Sequence, residues 1–441
     1  MLKSVNGRQD EKGAVIAIKD ASFPSPFVSG LEYSPPARGA WNIVHTGMLV
    51  PEAHEIFVCA QGCLRGVVLT AAEMKAEHRF STVAVRENNV LDGDMESLII
   101  DGVADIIDRL QPKPKAVLLY TSCIHHFMGC DLALVYRVLR GKYPEIDFTD
   151  AYMNPIMRKS GLTPDQLLRR NIYKLLKPRK LSAKTVNIIG NNLPTDESSE
   201  IYSLAAKAGA EIKDITRCCT YEEFQSMASA SANISYNSLA VPGGEYLEKT
   251  LGQKSLYLPL SYGYEEIESN LQKLTDYLGV AMPDYTEAKK QADTALNEVQ
   301  KLFGNTPLTI DYTATLRPLG LARLLIEHGF IVQTVYVDCI NGEEEADFQW
   351  LKKHCPELKL AATVHVKMRV LNRISEEKTV AIGQKAAYFT GTNNFVNIVE
   401  GGGMYGFDGI CRLAELMKDA YLHEKDAKKL IQIKGLGCCC R

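Results

Sequence analysis

A chain of 441 residues is too long for one hydrophobic core and points to two or three domains. Apolar residues make up 46% and charged residues 23%, and the formal charge of −3 offers no broad attraction for nucleic acid. No run approaches the roughly 18 uninterrupted apolar residues that cross a bilayer, and residues 1–19 are polar rather than signal-like, so the reading is a cytoplasmic protein that engages no membrane.

Residues 1–38 carry Pro24, Pro26, Pro35 and Pro36 without helical or strand periodicity and read as an extended arm that packs over something else. In 92–110 the positions Met95, Leu98, Ile99, Val103, Ile106, Ile107 and Leu110 trace one helical face. Residues 116–120 then read as a short buried strand that delivers Thr121, Ser122 and Cys123 at its carboxyl end. After the basic segment 177–184 the pattern returns as a strand at 186–190, a polar loop, a helix at 200–208 and a strand at 210–215, with Cys218 and Cys219 just beyond. It returns again as a strand at 308–311, a helix at 317–328 with Gly329 as its cap, and a strand at 331–337 followed by Cys339. Three such blocks predict three doubly wound, Rossmann-like α/β domains with parallel sheets, at 39–180, 181–304 and 305–430, with 431–441 a flexible cysteine-rich tail.

Twelve cysteines in a reducing compartment argue against a disulfide framework and leave metal ligation, redox chemistry or burial as their roles. Two fall in Cys59-Ala-Gln-Gly-Cys63 and two in Ser122-Cys123-Ile-His125-His126-Phe-Met-Gly129-Cys130-Asp131. Iron–sulfur clusters need soft thiolate ligands, usually four, and neighbouring glycines such as Gly62, Gly66 and Gly129 let backbone amides approach the sulfurs. The spacing lacks the paired C-x-x-C knuckles of a zinc site, although a mononuclear zinc site stays open. His125 and His126 read as solvated or as support for the ligands rather than as ligands. Cys123, Cys218 and Cys339 all end strands, where ligands of open α/β sheets bind and where a cysteine can equally be a small buried hydrophobe.

The order of Gly62-Cys63 after an apolar strand, then Ser122-Cys123 with Gly129 and Asp131, is similar to nitrogenase component 1 and its relatives. Those relatives include cofactor-assembly scaffolds, light-independent protochlorophyllide reductase and the nickel-tetrapyrrole reductive cyclase of methanogens. The strand that begins Val186-Asn-Ile-Ile-Gly-Asn191 resembles the start of the family's second domain. Ala381-Ile-Gly-Gln-Lys-Ala386 and Gly403-Met-Tyr-Gly-Phe-Asp-Gly409 resemble landmarks of its third. The resemblance implies the nitrogenase component 1 fold, a [4Fe-4S] cluster on Cys63 and Cys123 with Cys59 nearby, and a larger eight-iron cluster as the alternative. It further implies a homodimer, or a heterodimer with a component 1 paralogue, and a separate ATP-dependent iron–sulfur reductase as partner.

The departures narrow this. The family's usual first cysteine follows Arg-Gly, but here the sequence is Arg38-Gly39-Ala40, and Cys59 is the extra thiol that could replace it. Tyr236 and Val396 stand where the catalytic nitrogenase subunit holds its large cofactor, and neither is a metal ligand, so dinitrogen is not the expected substrate. Gly401-Gly402-Gly403 lacks the Lys-Ser or Lys-Thr of a phosphate loop, and ATP is expected to bind the partner instead. Two functions follow: an electron-transferring reductase with Asn154, Arg158, Arg217, Tyr236 and Asn237 as candidate pocket residues, or a non-catalytic scaffold or carrier for metal-cofactor assembly using thiols such as Cys218 and Cys219. A third reading makes all the cysteines structural in a metal-free binding protein.

Overall fold

The computed structural model describes residues 11–30, 32, 43–154, 156–157, 161–369 and 377–432. A short strand β1 (Val15–Ala17) opens the described chain. A sheet of four strands comes next: β2 (Ala53–Ala60), β3 (Phe80–Val85), β4 (Ala116–Ser122) and β5 (Asp147–Met153), in the order β3-β2-β4-β5 and parallel throughout. Its central strands are almost continuously buried because helices cover both faces. Strand alternation divides β2 between two cores. Ile56 and Val58 pack with Met95, Ile99 and Val103 of the helix Met95–Arg109, while Phe57 and Cys59 pack with Leu64, Val67 and Tyr120.

The second sheet repeats that topology with β6 (Ser182–Ile188), β7 (Glu211–Asp214), β8 (Ala230–Ser235) and β9 (Lys254–Tyr257), in the order β7-β6-β8-β9. The third contains β10 (Leu308–Asp311), β11 (Val332–Tyr336), β12 (Lys359–Ala361), β13 (Val380–Ile382) and β14 (Phe395–Val396) in the parallel order β12-β11-β10-β13-β14. Strand β1 closes its edge by pairing antiparallel with β12, Val15 opposite Ala361 and Ala17 opposite Lys359. The N-terminal arm is thus partly β-structure, a strand too short to show an alternation in sequence. Past it, the Pro24 carbonyl accepts from the Ile340 N–H, and Phe23 lies against Phe348.

The three sheets do not have three separate cores. One apolar cluster runs from Val186 and Ile234 of the second sheet, and Leu258 just past β9, to Ile310, Val335 and Phe407 in and beside the third, and another joins Phe57 and Tyr120 of the first to Phe224 and Leu247 on helices beside the second. Among the described residues, no helix is long and apolar enough to cross a membrane.

Candidate functional site

In the first sheet, β2 and β4 are neighbours, with Val58 directly opposite Thr121. Strand β2 runs straight into the helix Gln61–Glu73, and β4 into the short helix Cys123–Phe127. Cys63 is the third residue of the first helix and Cys123 the first residue of the second, so two thiols leave the carboxyl ends of adjacent strands side by side. Cys63 is exposed, Cys123 is partly exposed, and Cys59 lies beneath them, only 1% exposed. Burial, and then the neighbouring Cys63 and Cys123, push the Cys59 thiol up from 9.0 to about 12. The three sulfurs therefore share one electrostatic neighbourhood.

Gly62 and Gly66 are exposed on the outer side of their helix, and a Cβ at either would meet nothing. Gly129 is required for another reason: it sits at φ 64°, in the left-handed turn that ends the Cys123 helix. Exposed apolar side chains follow the carboxyl ends of the four strands. Leu91, Phe127, Met128 and Ile156 are exposed there, with Val68 and Leu69 further along the Cys63 helix.

His125 is buried, and its Nδ1 accepts the Ser122 N–H at 3.1 Å, which closes the turn that positions Cys123. Burial holds its imidazole below the usual range, and its Nε2 has no hydrogen-bond partner. Cys130 turns away from the other thiols to hydrogen-bond Glu96, whose Oε1 also accepts the Asp131 N–H. Among the described residues, no group of three or more His, Cys, Asp or Glu is arranged around a single metal ion. Ala40, with Arg38 and Gly39, and the Cys438–Cys440 tail lie outside the described residues.

The remaining strand-end cysteines belong to other sheets. Cys218 is partly buried, its Sγ 3.6 Å from the Asp214 carbonyl and 4.0 Å from the Met227 sulfur, and its thiol is pushed up to about 12 by burial and by Asp214. Cys219 and Cys339 are exposed.

The candidate pocket residues are largely engaged in holding the chain together. The Asn154 Oδ1 accepts the Ile156 N–H, and Arg158 lies outside the described residues. The Tyr236 hydroxyl is 3.0 Å from the Thr195 Oγ1, and Arg217 donates to the Thr195 carbonyl while pairing with Glu197. Asn237 caps the turn at Ser238–Ala240 and donates to the Gly190 carbonyl, which also takes an N–H of the buried Arg169. Arg217 and Tyr236 thus meet through Thr195, and Asn237 looks toward Gly190. Gly401, Gly402 and Gly403 form a left-handed turn after β14 at φ 81°, 62° and 83°.

A family model described as nitrogenase component 1 type oxidoreductase matches residues 43–416, most of the chain. The chain belongs to that family. Two solved structures share its fold. "Nitrogenase Cp1 at pH 6.5" superposes with a TM-score of 0.65 at 15% identity, covering 90% of this chain and 94% of that one. "Nitrogenase Cp1 at pH 5" gives a TM-score of 0.56 at 12% identity, over 93% of this chain and 94% of that one. No curated protein matches it in sequence. The component 1 match begins at Ile43, beyond the arm that carries β1.

Proposed function

We propose that this component 1 type oxidoreductase is an electron-transferring reductase subunit whose Cys63 and Cys123 hold a [4Fe-4S] cluster at an interface with a second component 1 subunit, either a second copy or a paralogue. One observation carries the reading: two thiols emerge in the first turns after adjacent strands, above a third buried sulfur, with Phe127 and Met128 exposed at the end of the Cys123 helix. Soft thiolates suit iron–sulfur chemistry, and the open outer side of Gly62 and Gly66 leaves room beside them.

One chain offers at most three sulfurs here, whereas a four-iron cluster takes four. A two-fold interface presents the same patch twice, so two cysteines from each subunit complete the set. When bound, such a cluster supplies one-electron transfer. The chain's own residues place Cys63 and Cys123 at the surface, exclude water once a partner covers Phe127 and Met128, and keep the proton on the buried Cys59 sulfur.

Family membership and the lack of a phosphate loop at Gly401–Gly403 support a separate ATP-dependent reductase as the electron source. The substrate then sits where the three sheets meet, near Tyr236 and Asn237. Tyr236 and Val396 argue against a permanent iron–molybdenum-type cofactor there, and so against dinitrogen. The test is anaerobic purification with iron and acid-labile sulfide analysis of wild type, Cys63→Ala and Cys123→Ala. Wild type should be brown and both variants iron-free. Colourless wild type that reconstitutes no cluster removes the central claim, and full iron in a stable Cys63→Ala dimer moves the site elsewhere, with the Cys218–Cys219 loop next in line.

A further inference from the structure

Around the meeting point of the three sheets, one side chain touches contributions from all of them. Asn192, in the loop after β6, accepts the Thr46 hydroxyl at its Oδ1 (3.3 Å) and donates from its Nδ2 to the Glu400 Oε1 (3.2 Å). Thr46 is fully buried in the helix Ile43–Gly47 that leads into the first sheet, and Glu400 follows β14 of the third. A carboxylate only accepts hydrogen bonds, which fixes the orientation of the amide.

The Glu400 loop is held in an uncommon backbone. Glu400 itself is left-handed at φ 50°, and three left-handed glycines follow. Its amide and that of Gly401 are tied to the Thr313 and Ala314 carbonyls at the end of β10. The facing loop of the second sheet interlocks with it, because Asp196 donates its N–H to the Gly403 carbonyl and a Cβ on Gly403 would lie 2.2 Å from the Pro194 carbonyl oxygen. A non-glycine residue persists in left-handed backbone where its surroundings over-determine it, and such positions cluster at switch regions. Arg169 and Tyr236 face Glu400 electrostatically, so its carboxylate looks into the junction rather than out to solvent.

We propose that Asn192 is a latch holding the three-sheet junction closed on itself, and that opening begins with loss of its bond to Glu400. This inference rests on the reading that substrate is held at that junction, because it makes entry depend on breaking a contact within the chain. Opening releases the Glu400 carboxylate from Asn192 and relaxes its backbone together.

Hydrogen–deuterium exchange on the metal-free full chain tests the latch by itself. Glu400→Ala should speed exchange of residues 191–199 and 399–406 by about fivefold, the effect of losing one ordinary hydrogen bond, and Asn192→Ala, which also loses the bond from Thr46, by at least as much. Glu400→Gln keeps an acceptor oxygen and should exchange like wild type. Exchange in the helix Met95–Arg109 should stay unchanged, showing that the fold stands; if Asn192→Ala does not fold, Asn192→Asp sets a second carboxylate against Glu400 and should open the same loops. Wild-type exchange in both alanine variants overturns the latch, as does Glu400→Gln opening as far as Glu400→Ala. No iron is needed for the readout, so failure of the cluster assignment and failure of the latch are distinguishable.

Discussion

Cys59 offers the sharpest quantitative test of the site. Its side chain is 1% exposed, and burial followed by Cys63 and Cys123 moves its thiol from 9.0 to about 12. That difference makes the reactive thiolate about a thousandfold scarcer than at an ordinary cysteine, equivalent to about 4 kcal/mol. Because only the thiolate attacks an alkylating agent, the metal-free native chain treated with iodoacetamide at about pH 7.5 should label Cys63 promptly and Cys59 at least about a thousandfold more slowly. The same free energy opposes metal ligation at Cys59, so Cys59→Ala should weaken iron binding, whereas Cys63→Ala and Cys123→Ala abolish it. The pH dependence has a definite sign: an unfolded chain ionises this thiol near 9.0 while the folded chain keeps the proton to about 12, so the stability from Cys59 is present below pH 9 and is lost as the pH rises through that range. Mass spectrometry of differentially alkylated peptides, with circular dichroism to confirm folding, reads the rates. Labelling of Cys59 as fast as Cys63 in the folded chain would refute the reasoning.

Other expectations follow from single positions. Glu344 is buried and accepts the Leu319 and Gly320 N–H groups, and burial first of all raises its carboxyl to about 8, so it costs stability as pH rises from about 4.5 through 8; Glu344→Gln should flatten denaturation midpoints across that range, and an unchanged slope would count against it. At Gly47 a Cβ would lie 2.1 Å from the Glu55 Oε1 and 2.3 Å from the Tyr120 Oη, so Gly47→Ala should destabilise the chain by about 1–3 kcal/mol in urea unfolding, a loss that a variant with a wild-type midpoint would disprove. Cys355→Ala and removal of residues 438–440 should leave iron content intact by metal analysis. The isolated chain should hydrolyse no ATP in a phosphate-release assay and should be reduced in an ATP-dependent way only when mixed with a separate iron–sulfur reductase.

Much of the architecture was legible because hydrophobic period is a local signal. The helical face from Met95 to Ile107, the buried run of β4 and the exact span of β10 could be read from apolar spacing, and with them the three parallel α/β blocks. The Cys63 and Cys123 pair was legible as motif, since each follows an apolar strand. The burial of Cys59 beside Phe57 was not legible, because Ile56 to Cys59 form a continuous apolar run with no alternation to distinguish the faces.

Only tertiary structure decided which residues meet. The register of β2 against β4 brings Cys63 and Cys123 together from sixty positions apart in sequence, and the side chain of Cys130 turns to Glu96 instead of joining them. The engagement of Arg217 through Thr195, the pairing of β1 with β12 and the bridge from Thr46 through Asn192 to Glu400 have no sequence periodicity to announce them. Periodicity records which face of an element avoids water. A hydrogen bond between distant loops depends on how whole sheets dock, and the cores shared between sheets set that docking.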